Sequence, residues 1–98
     1  MNIVHEASSG TNESGDARIT VSPNPSGGLS LELRGPSVAR YGDDIRAAAL
    51  STLGSLGVTD ATVSITEKGA LDATIRARLA AACGRAADVG VTPWEAFK

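Results

Sequence analysis

The sequence predicts a small α+β domain: a three-stranded sheet, antiparallel or mixed, covered on one face by two helices and preceded by a flexible N-terminal arm. Three observations point there. Short runs around 18–22, 29–34 and 61–65 alternate apolar and polar residues, the period of a half-buried strand. Two longer stretches, 38–56 and 71–86, repeat apolar residues at steps of three and four, the stripe of an amphipathic helix. The resulting order is strand, strand, helix, strand, helix. A three-stranded sheet cannot bury both of its faces unaided, so the helices are expected together on one of them.

Residues 1–16 are rich in Ser, Gly, Asn and Glu and hold no sustained apolar period, which reads as an arm with little structure of its own. The body is expected over 17–98. Ile19 and Val21 alternate with Arg18, Thr20 and Ser22 as the first strand. Pro23-Asn24-Pro25-Ser26-Gly27-Gly28 is a turn signal, because proline fixes φ and glycine admits positive φ. Leu29, Leu31 and Leu33 then alternate with Ser30, Glu32 and Arg34, and the two strands are expected to pair as a hairpin over this long loop.

Gly35-Pro36 breaks the second strand, and Ser37 is a candidate helix N-cap. Val38, Tyr41, Ile45, Ala49, Leu53 and Leu56 form one stripe of the first helix. Asp43 and Asp44 suit the positive end of its dipole, and Gly57 is expected to end it. Ala61, Val63 and Ile65 make the third strand, and Lys68-Gly69 turns the chain. Leu71, Ile75, Leu79, Ala82, Cys83 and Ala86 mark the second helix, with Asp72 in its first turn and Gly90 and Pro93 closing it. Trp94 either folds back on the body or anchors a partner, the two common uses of such a residue.

Composition narrows the function. A chain of 98 residues is one domain with little room for a deep active site. One Trp, one Tyr and one Phe leave the core to aliphatic side chains. A net charge of −2, with arginines spread among acids, offers no footprint for nucleic acid. No run is apolar or long enough for a membrane span, and Met1–Gly10 lacks a signal-peptide pattern, so a cytoplasmic protein is expected. Cys83 is the single cysteine, which rules out an intrachain disulfide and a cysteine-built zinc site; on the apolar side of an alanine-rich helix it reads as core filler.

Candidate chemistry reduces to one serine. The single histidine, His5, lies in the loose N-terminus and reads as solvated, so no serine–histidine pair is held in the geometry a triad needs. Ser14 also lacks the flanking glycines of a nucleophile elbow. Asp43-Asp44 and Glu13/Asp16 read as solvated acids rather than metal ligands, so no catalytic and no metal-binding residue is assigned. Asn12-Glu13-Ser14 matches a glycosylation sequon, which without secretion is a coincidence. Arg76, Arg78 and Arg85 cannot all lie on the buried stripe of the second helix; they form a solvated face or a docking surface for another subunit.

Four segments taken in order carry a resemblance: Gly10-Thr11-Asn12-Glu13-Ser14-Gly15-Asp16, Tyr41-Gly42-Asp43-Asp44-Ile45-Arg46, Lys68-Gly69-Ala70-Leu71-Asp72 followed by Arg76-Ala77-Arg78-Leu79, and Pro93-Trp94-Glu95. Together they resemble the acyl carrier protein (gamma chain) of citrate lyase. The resemblance implies that Ser14 carries phosphoribosyl-dephospho-CoA through a phosphodiester, with Glu13, Gly15 and Asp16 completing the attachment motif. It implies a thiol that holds acetyl or citryl as a thioester. The partners implied are an alpha subunit that exchanges acetyl for citryl, a beta subunit that cleaves citryl to oxaloacetate, and a prosthetic-group transferase. Glu13 and Asp16 would repel a phosphodiester, and their expected use is recognition by that transferase. The carrier of malonate decarboxylase, with the same type of group, and an unmodified docking module are the alternatives.

Overall fold

The computed structural model describes residues 1–88 and is an α+β fold of one mixed four-stranded sheet with two helices. In chain order these are β1 (Ala7–Gly10), β2 (Ala17–Ser22), β3 (Leu29–Arg34), α1 (Val38–Ser55), β4 (Ala61–Glu67) and α2 (Asp72–Ala86). The expectations for Gly90, Pro93 and Trp94 lie outside the described residues.

The sheet order is β1-β2-β4-β3. The expected pairing of β2 with β3 is therefore wrong: β4 lies between them, antiparallel to β2 and parallel to β3. The loop 23–28 steps across the start of β4 instead of closing a hairpin. Ala61 N donates to Gly28 O (3.0 Å), and Gly28 N donates to Asp60 Oδ1 (2.7 Å). That bond, and a second from Thr59, hold the Asp60 carboxyl below its usual range. β2 and β4 thus take the centre of the sheet, where both edges of each are paired.

The hairpin of this protein is β1 with β2, in the register Ala7↔Val21 to Gly10↔Arg18. Here the structure corrects the expectation of an unstructured arm and a three-stranded sheet. Ala7-Ser8-Ser9-Gly10 has no apolar alternation, but β2 would otherwise expose an unpaired edge, and these small residues satisfy it. Further out, Val4 N and His5 N both donate to Ala86 O (2.9 and 3.1 Å), closing the end of α2. His5 is exposed, as expected, and its Nε2 lies 2.6 Å from Asp88 Oδ1. The Glu6 carbonyl and the Asp88 carboxylate raise its pKa.

Alternation places Ala17, Ile19 and Val21 of β2 and Ala61, Val63 and Ile65 of β4 on one buried face. On the other face Arg18, Thr20, Thr62, Ser64 and Thr66 stay polar. Both helices cover the buried face, α2 over β1 and β2 and α1 beside it next to β3. Ile45, Ala49 and Leu53 of α1 and Ile75, Leu79, Ala82, Cys83 and Ala86 of α2 fill the core. Cys83 is buried there as expected, and burial pushes its thiol up to about 12.

Two ends of the helical stripes depart from expectation. Tyr41 and Leu71 are 49% and 75% exposed. At Tyr41 α1 is kinked (φ −122°, ψ 15°), which turns the ring outward; Asp43 and Asp44 then sit in the first turn after the kink. Gly57 ends α1 as expected. With φ +69° it allows Val58 N to reach Leu53 O (2.9 Å) and Gly57 N to reach Gly54 O (3.1 Å), a Schellman closure.

One buried acid organises the end of the molecule where both helices begin. Glu67, at 0% exposure, faces the core side of β4. It accepts from Ser37 N through Oε1 and from Gly69 N through Oε2, each at 2.6 Å. Ser37 therefore marks the start of α1 without capping it by its own side chain. Burial pushes the Glu67 carboxyl up, but the bonds from Ser37, Gly69 and Ala70 outweigh it and hold the pKa below its usual value.

Candidate functional site

Ser14 lies in the loop joining β1 to β2, and the loop is built rather than loose. Asp16 N donates to Glu13 O (3.0 Å), closing a turn with Gly15 at its third position, φ +83°. That is the position at which a type II turn requires positive φ. The turn is stitched to β4 from both sides: Gly15 N donates to Lys68 O (2.7 Å), and Lys68 N donates to Asp16 O (2.9 Å).

Asp16 anchors the loop through its side chain. Its two oxygens accept from Arg78 Nε and Nη2, both at 3.0 Å, a bidentate pair across the domain. They also accept from Thr11 Oγ1 and from Ala17 N, both at 2.7 Å. The Arg78 guanidinium, followed by these two bonds, holds the Asp16 carboxyl far below the usual carboxylate range. Gly10, with φ +91°, lets the strand pass over Ala17: a Cβ there would collide with the Ala17 carbonyl.

Of the four residues expected to form the site, all lie in this one turn, but they divide by role. Asp16 is committed to Arg78, so its charge is already balanced within the fold. Glu13 and Ser14 are exposed, and neither side chain has a hydrogen-bond partner among the described residues. A Cβ placed on Gly15 would meet nothing within 4 Å, so the space beside Ser14 is open. The nearest imidazole cannot serve as a base. His5 is held at Asp88, past the C-terminal end of α2, and Arg78, which holds the Ser14 turn, lies eight residues before that end, about 12 Å in helical rise. The hydroxyl is offered to solvent on a fixed turn, with room for a covalent group.

Sequence reasoning missed Arg78, Thr11 and the Lys68 backbone as parts of this site. Arg78 and Asp16 are 62 residues apart, and no local spacing signals such a pair. The other arginines of α2 are also engaged: Arg76 Nε with Asp72 (2.9 Å, i,i+4) and Arg85 Nη1 with Ser8 O (2.7 Å).

An exposed hydroxyl on a braced turn of a small α+β body is an arrangement that suits a protein presenting a side chain, and acyl carriers are of this class. A family model described as the malonate decarboxylase delta subunit (MdcD), an acyl carrier protein family, matches residues 4–86. The chain is 46% identical over 94 residues to the citrate lyase acyl carrier protein of Vibrio cholerae, covering 96% of each chain. It is 45% identical over 95 residues to that of Streptococcus equi subsp. zooepidemicus and 42% over 95 residues to that of Lacticaseibacillus casei, in both cases with 97% of this chain and 93% of the relative covered. The chain belongs to the citrate lyase acyl carrier protein family.

Proposed function

We propose that this chain is the acyl carrier subunit of a citrate lyase, working in the cytoplasm, and that Ser14 Oγ bears phosphoribosyl-dephospho-CoA through a phosphodiester. The observation that carries the reading is the exposed Ser14 hydroxyl, free of side-chain bonds on a turn pinned by Asp16 and Lys68, with open space at Gly15. The attached group supplies a thiol that holds the acyl group as a thioester. The chain's own part is to fix the point of attachment and to raise the concentration of that thiol near its partners' active sites. Those partners are an acyl-exchanging alpha subunit and a citryl-cleaving beta subunit.

The geometry supports a division of roles within the proposed motif. Gly15 keeps the space beside the linkage empty, Asp16 latches the loop, and Glu13 is the acid left for recognition by the attaching transferase. A malonate decarboxylase carrier is the second reading, favoured by the description of the matching family model. The full-length similarity to carriers named for citrate lyase favours the first.

The test is intact-protein mass spectrometry after co-expression with the transferase, beside Ser14→Ala. A mass increment equal to phosphoribosyl-dephospho-CoA, absent from the variant, is expected. No increment under a transferase active on a known carrier overturns the proposal.

A further inference from the structure

A groove of about 500 Å³ runs along α2 beside Ser9 of β1 and includes Arg78, the residue that holds Asp16 of the Ser14 loop. It is lined by Ala73, Thr74, Ala77 and Ala81 together with Ser9, Arg78 and Arg85. Arg78 holds the loop through Asp16, and Arg85 lies against Ser8, further down the same strand. The two arginines are seven residues apart on α2, about 10 Å along its axis. Arg78 uses two of a guanidinium's five N–H donors on Asp16, and Arg85 uses one on Ser8. Both therefore keep donors for a further anion. Asp16 balances Arg78, whereas among the described residues no carboxylate pairs with Arg85.

We infer that this groove is the berth for the phosphate-bearing part of the group on Ser14, with Arg78 and Arg85 as its anion-binding residues. The inference rests on Ser14 being the attachment point. Phosphoribosyl-dephospho-CoA has a phosphate at its serine end and a diphosphate beyond its sugars. A groove that reaches Arg78, the anchor of the Ser14 loop, with two guanidinium groups spaced along it and alanine methyl groups in its lining, suits such a chain in charge and in course. Another groove, about 360 Å³ and lined by Tyr41, Ile45, Leu71 and Ile75, holds Asp44 and the Arg76-paired Asp72 and has no lysine or arginine in its lining to receive a phosphate. Parking the anionic base of the arm on α2 leaves the thiol end to move and sets the radius over which it reaches.

The test compares amide and phosphorus NMR spectra of the full chain before and after loading by its transferase, with the mass of each sample recorded. Loading is expected to shift the amides of Ser9, Ala77, Ala81 and Arg85 together with those of 13–16. In Ala81→Glu, which places a negative charge in the groove and leaves the Ser8 contact intact, the shifts over 77–85 vanish. The diphosphate signals there relax several-fold more slowly than in the wild type. Arg85→Gln behaves like Ala81→Glu, and Arg85→Lys retains most of the wild-type pattern. Mass at Ser14 with shifts confined to 11–18 overturns the berth and leaves the carrier intact. So does an Arg85→Gln variant whose arm signals are unchanged while its unloaded form binds the lyase subunits more weakly, because the groove is then a protein interface. Absence of added mass under an active transferase removes the carrier reading and the berth with it.

Discussion

Replacing Glu67 by Gln tests how the end of the molecule that carries Ser14 is held together. Both carboxylate oxygens accept a backbone N–H at 2.6 Å, Oε1 from Ser37 and Oε2 from Gly69. An amide has one oxygen, so its NH2 must face one of these donors. One charge-assisted bond is lost, at about 1.5–3 kcal/mol, and the other becomes neutral, at about 1 kcal/mol less. Relief from burying a charge returns part of this, leaving a net loss of about 2–3 kcal/mol. For a domain of this size that lowers Tm by about 10–20 °C. The effect has a pH signature. Burial raises the Glu67 pKa, the hydrogen bonds outweigh it, and the folded value lies below the unfolded one. The stabilisation is therefore complete above the ordinary value of 4.5 and is lost as pH falls through the folded pKa. Urea unfolding followed by circular dichroism should give the full difference between wild type and Glu67→Gln at about pH 7 and a smaller one at about pH 3. Equal midpoints at neutral pH, or a gap that does not change with pH, would refute the reasoning.

Gly10→Ala should destabilise by about 2–5 kcal/mol, from strain at φ +91° plus the collision with the Ala17 carbonyl. Gly15→Ala, at φ +83° with open space around it, should lose only the strain of about 1–2 kcal/mol; equal melting temperatures would count against the packing described. Asp16→Asn turns an NH2 toward the Arg78 fork, so hydrogen exchange at Gly15 and Lys68 should quicken while Ile65 stays protected. The Asp16 pKa is depressed, so this protection is present above the ordinary carboxylate value and fades as pH falls through the folded one; unchanged exchange at neutral pH would remove Asp16 as the latch. Cys83, buried and with its thiol raised to about 12, should react with an alkylating reagent only on unfolding, and fast labelling of the native chain would contradict its placement.

Much of this was legible because the signals are local. Alternation at Ile19/Val21 and at Val63/Ile65, the stripe through Ile45, Ala49 and Leu53, and glycine at 57 and 69 each depend on neighbours a few residues away. The Ser14 turn was legible as a motif, since Glu13, Ser14, Gly15 and Asp16 are contiguous. The strand at Ala7–Gly10 was not, because nothing in Ala-Ser-Ser-Gly favours extension until β2 offers an unpaired edge. Tyr41 and Leu71 fitted the helical stripe and were still left outside, one by a kink and the other at the first residue before α2.

The sequence by itself determined the class of the fold, five of its six elements, the buried place of Cys83 and the serine on which the functional reading turns. Tertiary structure decided that β4 rather than β3 pairs with β2, that β1 closes the other edge, and that Asp16 belongs to Arg78 while Glu67 belongs to Ser37 and Gly69. The physical reason is range. Propensity, periodicity and turn chemistry act over a few residues. Strand order and the partners of buried or half-buried charges are set by which unpaired edges and donors the collapsed chain brings together, across separations as long as the 62 residues between Asp16 and Arg78.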